Sequence, residues 1–194
     1  MKTALIVIDV QRALCEGKYK AFDADGLVRR INAVSGKARQ AGVPVVVVQH
    51  ESEGPQMARD TDGWRLARGL HTEPTDILLG KTTPDSFHRT ELEALLRARG
   101  VTRLVVCGMQ TDFCVDTTTR RALALGFPVV LVSDGHSTLD NEHLTASQII
   151  AHHNLTLSNI ESFGPRVMLT AADELRFDGA QGAAAAGPAA GSAH

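Results

Sequence analysis

Three polar residues that could share one reaction lie where apolar segments of the chain end. Asp9 follows the apolar residues 5–8, Lys81 follows residues 77–80, and Cys114 lies where a strand is expected to lead into a helix. A carboxylate can accept the proton of a thiol, and an ammonium can stabilise the resulting thiolate. Unpaired N–H groups and the positive dipole at a helix start favour a thiolate and can bind an oxyanion. These residue types predict nucleophilic catalysis by Cys114.

Each of these residues, taken singly, has a simpler explanation. Asp9 could cap a turn, Lys81 could be an ordinary surface lysine, and Cys114 could be an inert buried thiol. We expect Cys107, inside an apolar run, to be such a thiol, and Cys15 to be incidental. The three together favour catalysis, because the carboxyl ends of parallel strands meet at one edge of a sheet.

The segments that would carry these residues repeat one local pattern. In three places a helix-forming segment leads to a glycine (Gly42, Gly100 or Gly126) and then to a Val-rich strand. The strands are almost wholly apolar, so helices should cover both faces of the sheet. Strands that alternate with helices predict right-handed crossovers and an α/β fold with a parallel sheet.

The expected elements divide the chain as follows. We predict strands at 4–8, 43–48, 75–80, 102–107, 128–132 and near 157–161, and helices at 24–41, 91–99, 112–125 and 142–153. Thr90 and Glu93 form a capping-box pattern at the second of these helices. Residues 51–74 have no strong period; we expect a short helix around Trp64 and a segment that covers the site. Residues 1–175 should form one domain, and the Ala/Gly-rich residues 176–194 a flexible tail.

Composition excludes several classes of function. Lysine and arginine number 20 and aspartate and glutamate 22, a formal charge of −2, and the charges are mixed along the chain. This argues against a nucleic-acid or membrane partner. Three cysteines are too few, and odd in number, for a disulfide framework. No apolar run approaches the roughly 20 residues that cross a bilayer. We expect a soluble, cytoplasmic protein with reduced thiols.

The sequence around these polar strand ends resembles that of the isochorismatase-like cysteine hydrolases, a superfamily that includes nicotinamidases and N-carbamoylsarcosine amidohydrolases. The matching segments, in order within residues 3–170, are Ile8-Asp9-Val10-Gln11, Gly80-Lys81, Ser86-Phe87, 108–115 and 132–137. The resemblance implies a Rossmann-like three-layer αβα sandwich with a mostly parallel six-stranded sheet of order 3-2-1-4-5-6. It implies a catalytic triad of Asp9, Lys81 and Cys114, a cis peptide between Met109 and Gln110, and an oxyanion hole from the backbone N–H groups of Gln110 and Cys114. Members are often dimers or larger, so we expect a homo-oligomer.

Two departures from related enzymes narrow the activity. Nicotinamidases of this superfamily carry an Asp-x-His metal cluster near the end of the second strand, whereas this chain reads Gln49-His50-Glu51 with no second histidine nearby. We therefore predict no metal and no other cofactor. Isochorismatase itself hydrolyses a vinyl ether and lacks the cysteine. The presence of Cys114 favours a covalent route, typical of the hydrolysis of C–N bonds.

The leading hypothesis is hydrolysis of an amide or ureido bond in a small molecule through a Cys114 acyl-enzyme. One alternative is a metal-free hydrolase of a non-amide bond, and another is a redox-sensing or binding module with a reactive cysteine. The substrate stays open among metabolites, ureido compounds and amide antibiotics such as a streptothricin. The candidate pocket residues, for each of which core packing is an equal alternative, are Leu14, His50, Trp64, Phe87, Phe113 and His136.

Overall fold

One parallel sheet forms the centre of the molecule in the computed structural model, which describes residues 1–177. The strands are β1 (Thr3–Ile8), β2 (Val45–His50), β3 (Ile77–Lys81), β4 (Arg103–Met109), β5 (Val129–Ser137) and β6 (Val167–Thr170). Their order is β3-β2-β1-β4-β5-β6, and every neighbouring pair is parallel. The predicted α/β class and strand order are confirmed.

The helices flank this sheet on both faces. They are α1 (Arg12–Cys15), α2 (Ala24–Gln40), α3 (Leu92–Ala98), α4 (Asp116–Ala124) and α5 (Ala146–Ser158). A 3-10 turn spans Gly17–Tyr19, and a π-helical turn, Thr111–Val115, leads directly into α4. The predicted helix at 112–125 therefore exists, but its first residues are wound more loosely than an α-helix.

Alternate residues of β1 build two separate cores. Leu5 packs with Ile31 of α2 on one face of the sheet. Ile6 packs with Leu92 of α3 and Leu123 of α4 on the other. All five side chains are at most 1% exposed, and burial of each contributes about 1.5–3 kcal/mol to folding. Two covered faces explain the almost continuous apolar sequence of the strands.

The last third of the chain shows where the predicted boundaries are wrong. The sequence predicts the final strand near 157–161, but those residues lie at the end of α5 and just beyond it, and β6 begins at Val167. A capping box at Thr145 and Gln148 starts α5 four residues later than predicted. The predicted capping box of Thr90 and Glu93 does not form, because Glu91 is the N-cap of α3 and the Thr90 hydroxyl donates to the Ser86 carbonyl.

The connection between β2 and β3 contains turns and bends rather than the predicted helix around Trp64. Leu66 forms an antiparallel bridge with Gln11, and the Ala67 N–H donates to the Val10 carbonyl at 2.9 Å. Backbone pairing with the segment after β1 thus satisfies the donors that a helix would have used. Helix α1, for which the sequence pattern gives no signal, lies in the same region.

The carboxyl end of the described chain packs against the α2 face. Ala172 and Leu175 are buried there, and Phe177 packs against the same core. The packed chain therefore extends at least two residues beyond the predicted boundary at 175. Residues 178–194, most of the predicted flexible tail, lie outside the described residues. Within residues 1–177, no helix combines the length and hydrophobicity needed to cross a membrane.

Candidate active site

Asp9, Lys81 and Cys114 come together at the carboxyl edge of the sheet. Asp9 directly follows β1, Lys81 ends β3, and Cys114 lies in the π-helical turn after β4. The Lys81 Nζ is 2.6 Å from Asp9 Oδ2 and 3.2 Å from Cys114 Sγ. Because β2 separates β3 from β1, the lysine side chain has to reach past the end of β2 to make these contacts.

Lys81 makes more polar contacts than an ammonium has protons. Besides Asp9 and Cys114, its Nζ lies 3.1 Å from the Thr83 carbonyl oxygen and 3.2 Å from His50 Nδ1. The side chains of Lys81 and Asp9 are 0% and 1% exposed, so water does not screen the ion pair. A buried ammonium with four acceptors and three N–H bonds must share at least one of them.

The backbone at the end of β1 is shaped to present Asp9. Asp9 has a φ of 51°, in the left-handed region that non-glycine residues rarely adopt. Its N–H donates to the Val48 carbonyl at 2.9 Å, which ties this conformation to β2. On the other side β4 approaches closely: a Cβ on Gly108 would lie 2.1 Å from the Ile8 carbonyl oxygen, and the φ of Gly108 is +123°. Only glycine fits there.

The turn that carries Cys114 is held by backbone and side-chain hydrogen bonds. The peptide bond between Met109 and Gln110 is cis. The N–H groups of Phe113 and Val115 both donate to the Gln110 carbonyl. The Thr111 hydroxyl lies 2.9 Å from Nδ1 of His136. The turn is therefore fixed at its first residues, from which the main chain leads to the sulfur.

Burial dominates the protonation of the cluster. Burial raises the pKa of the Asp9 carboxyl above its ordinary value, although Lys81 acts in the opposite direction. Burial, followed by the negative charge of Asp9, raises the pKa of the Cys114 thiol to about 12 against the opposing effect of Lys81. Burial and then Lys81 lower the pKa of His50. At neutral pH the site holds a thiol and a neutral imidazole, because burial and Asp9 outweigh the preference for a thiolate that the start of a helix gives.

Gln11 joins three segments around the cluster, a role that the sequence analysis did not assign to it. Its side chain is fully buried and donates to the His50 and Trp64 carbonyl oxygens, and it accepts from the His50 N–H at 2.8 Å. The Gln49 amide also donates to the Trp64 carbonyl. A polar residue two positions after Asp9, beside an apolar strand, was the signal available in the sequence.

The candidate pocket residues fall into two groups. His50 contacts Lys81, Phe113 precedes Cys114 in sequence and is 54% exposed, and Trp64 is half-buried with its indole N–H unpaired among the described residues. By contrast, Phe87 is buried and its ring stacks on that of Phe127 at 6.2 Å. The first three lie in or next to the elements of the site, whereas the contacts of Phe87 favour core packing.

Leu14 and His136 also make mainly structural contacts. Leu14 is partly buried against the core beneath α2. His136 is 2% exposed; its Nε2 lies 3.0 Å from Asn154 Oδ1, and its Nδ1 faces the Thr111 hydroxyl. Because an amide oxygen only accepts, Nε2 carries the proton and Nδ1 accepts from Thr111. Burial lowers the pKa of His136 to about 4, so it is neutral at pH 7.

Asp9, His50 and Cys114 form a set of ligand types that a divalent metal could use. One donor atom from each lies within 4.8 Å of the other two. The Lys81 ammonium contacts all three residues and thus already supplies a cation among them. A metal ion would have to displace this ammonium to bind there.

Comparison with known proteins gives a consistent set of matches. The family model of the isochorismatase domain matches residues 3–162. A streptothricin hydrolase of Streptomyces noursei is 41% identical over 138 residues, which is 71% of this chain and 50% of that protein. The chain thus spans about half the length of this relative.

Two further matches cover more of the length of the other protein. A ureidoacrylate amidohydrolase, RutB, of Methylobacterium radiotolerans is 31% identical over 224 aligned positions, covering 96% of this chain and 82% of that protein. A crystal structure of an isochorismatase family protein superposes with a TM-score of 0.79 at 34% identity, over 88% of this chain and 98% of the other.

Proposed function

Because the chain belongs to the isochorismatase family, we propose that it is a cysteine hydrolase that cleaves a carbonyl–nitrogen bond of a small amide or ureido compound. Cys114 is the nucleophile, Asp9 the general base and acid, and Lys81 the cation that stabilises the developing thiolate. The observation that carries this proposal is the buried Lys81 ammonium in contact with both the Asp9 carboxylate and the Cys114 sulfur.

The protonation of the cluster supports a concerted first step. Asp9 is a stronger base than an ordinary carboxylate because burial raises its pKa, and it lies beside a thiol whose pKa is about 12. Asp9 takes the thiol proton as the sulfur attacks the carbonyl carbon, so no free thiolate has to accumulate. The charge that appears on sulfur is met by the N–H of Lys81.

The remaining steps use the same groups in turn. The carbonyl oxygen becomes an oxyanion, for which the backbone N–H groups of Gln110 and Cys114 are the proposed donors. One such donor contributes about 3–4 kcal/mol to the stability of a transition state. Asp9 then gives its proton to the departing nitrogen as the C–N bond breaks. Water attacks the thioester as Asp9 accepts a proton from it, and Asp9 passes this proton to the Cys114 sulfur as the C–S bond breaks, which releases the carboxylic acid and restores the thiol.

The pocket assignments follow the contacts of each residue. We propose that His50, Trp64 and Phe113 line the substrate site. Phe87 and Leu14 support the core. His136 holds Thr111 and, through it, the residue after Gln110.

The substrate class can be tested with compounds of the kinds that the names of the relatives mention. A panel of a streptothricin, ureidoacrylate, simple amides and an enol ether should give turnover of one or more C–N compounds. The Cys114→Ala variant should lose at least roughly a thousandfold of that activity. Cys15→Ala, which removes a buried thiol outside the cluster, is the matched control and should stay active. Hydrolysis of the enol ether alone, undiminished in Cys114→Ala, would instead favour the non-amide alternative.

The expected homo-oligomer stays a prediction. Two exposed apolar side chains, Leu155 of α5 and Met168 of β6, are each 64% exposed and offer apolar surface for self-association. Light scattering on the purified protein would decide it: a mass near that of one 20.7 kDa chain would contradict the prediction.

A further inference from the structure

Two acceptors lie equally far from the Lys81 ammonium. Asp9 Oδ2 is the nearest partner at 2.6 Å, and the Thr83 carbonyl follows at 3.1 Å. His50 Nδ1 and Cys114 Sγ are both 3.2 Å away. At 2.6 Å the Asp9 carboxylate, the one acceptor here with a full charge, draws an N–H bond most strongly, and the Thr83 carbonyl accepts another, so His50 and Cys114 compete for the third.

We propose that His50 is a positioning residue that shares this third N–H bond with Cys114 and takes it over whenever the sulfur is acylated. The part that concerns catalysis rests on the proposed cysteine hydrolysis. A thiolate is a charged acceptor and draws the N–H towards sulfur, whereas a thioester sulfur has no charge and accepts weakly. In the acyl-enzyme His50 therefore keeps the ammonium bonded on three sides and next to Asp9.

The position of Lys81 matters most in the hydrolytic half of the reaction. There Asp9 has to be an ionised carboxylate that accepts a proton from water, and Lys81 is the cation that favours the ionised form. If the ammonium turned away to find another acceptor, Asp9 would bind a proton and could no longer act as base. Loss of His50 should thus slow hydrolysis of the thioester more than its formation.

The surroundings of His50 fit an acceptor at Nδ1. Lysine can only donate, so Nδ1 accepts and the proton of the neutral ring is on Nε2. Gln11 binds both the N–H and the carbonyl of His50 and fixes its backbone. The charged groups that face the ring are Asp9, Lys81 and Glu51.

A pair of variants of equal size separates the acceptor from the bulk of the ring. Asparagine places an amide oxygen close to the position of Nδ1, so His50→Asn keeps an acceptor for Lys81. Leucine has the same number and branching of side-chain heavy atoms as asparagine but no acceptor, so His50→Leu removes the acceptor without a change of shape. Glutamine reaches the position of Nε2 instead, so His50→Gln shows whether the other ring nitrogen is the one that matters.

The first measurement needs no substrate. The rate of alkylation of Cys114 by iodoacetamide is followed against pH, with the modified peptide identified by mass spectrometry. In His50→Leu the third N–H belongs to the sulfur alone, so at any pH below the pKa of the thiol alkylation should be about tenfold faster than in His50→Asn, the effect of one charge-assisted hydrogen bond. Equal rates in the two variants over this pH range would overturn the proposal.

The second measurement follows an amide that the wild type hydrolyses. Amine release in the first turnover should be similar in the two variants, whereas hydrolysis of the thioester should be about tenfold slower in His50→Leu than in His50→Asn. Equal rates of thioester hydrolysis, or recovery by His50→Gln rather than His50→Asn, would overturn it. Failure of the proposed function is a separate result: it would appear as turnover by Cys114→Ala, whereas the alkylation comparison decides the role of His50 independently.

Discussion

Replacement of Lys81 by methionine should destabilise the protein in a strongly pH-dependent manner. Methionine keeps much of the length and the apolar stem of lysine but carries no charge. The Lys81 and Asp9 side chains are 0% and 1% exposed, so the substitution leaves a buried carboxylate with no ion-pair partner. Breaking a buried pair from one side costs about 3–5 kcal/mol if the remaining charge stays ionised.

Protonation of Asp9 relieves this cost, and the sign of the pH dependence follows. Burial already raises the folded-state pKa of Asp9, and Lys81 is the largest influence that lowers it. Without Lys81 the pKa rises further, so the folded state binds a proton at pH values where the unfolded chain, with a pKa of about 3.9, does not. The stabilisation that proton binding to Asp9 gives the folded state is present in full below about pH 4. It is lost as pH rises through the folded-state pKa, by about 1.4 kcal/mol for each pH unit between the two pKa values. The loss caused by Lys81→Met should therefore be smaller at pH 5 than at pH 8.

Urea denaturation at pH 5 and pH 8 measures both effects. The wild type, Lys81→Met, Asp9→Asn and the double variant form a thermodynamic cycle. At pH 8 the double variant should be more stable than the sum of the single losses predicts, because neither charge remains buried alone. A loss in Lys81→Met that is equal at both pH values, together with additive single losses, would refute the reasoning.

Further predictions concern backbone fit, His136 and the pH profile of activity. Gly108→Ala should lower the free energy of unfolding by about 3 kcal/mol or more, because its Cβ would meet the Ile8 carbonyl oxygen, whereas Gly36→Ala on α2, with nothing within 4 Å, should stabilise by about 0.5–1 kcal/mol in the same denaturation assay. Because burial lowers the pKa of His136 to about 4, its contribution to stability is complete above pH 6.5 and is lost as pH falls towards 4, by about 3 kcal/mol; His136→Gln should lack this part of the acid destabilisation. The raised pKa of Asp9 predicts that kcat/KM falls as pH decreases through a value above the ordinary pKa of an aspartate, and that Asp9→Asn lowers it by a factor of about 100–10,000; an active Asp9→Asn variant with an unchanged profile would contradict its role as base.

The sequence was sufficient for strands β1 to β5 and for the convergence of polar residues at the carboxyl edge of the sheet. An apolar run marks both β1, which is buried on both faces, and the edge strand β3, and a polar residue directly after such a run, as at Asp9 and Lys81, is visible without coordinates. The edge strand β6 lacks this signal. It has four residues, which is too few for the sequence pattern to distinguish it from a connection, and the pattern instead favours a strand at residues 157–161.

The protonation of the site could not be predicted from local sequence. A position at the start of a helix favours a thiolate, yet the pKa of Cys114 is raised, because burial and Asp9 depend on neighbours that are distant in the chain. The sharing of the Lys81 ammonium between His50 and Cys114 could not be predicted from local sequence for the same reason. His50 ends β2 and Lys81 ends β3, and only the parallel register that pairs them brings Nδ1 to 3.2 Å from Nζ.

The most direct test of covalent catalysis by the buried cluster is the mass of Cys114 during turnover. The protein is mixed with an activated ester of the acyl group of an amide that it hydrolyses, so that acylation outruns hydrolysis, and is quenched in acid for peptide mass spectrometry. The peptide that contains Cys114 should gain the mass of the acyl group in the wild type and in Cys15→Ala, and no peptide should gain it in Cys114→Ala. Full amide turnover by Cys114→Ala, or an acyl group found on another residue and undiminished in that variant, would contradict the account.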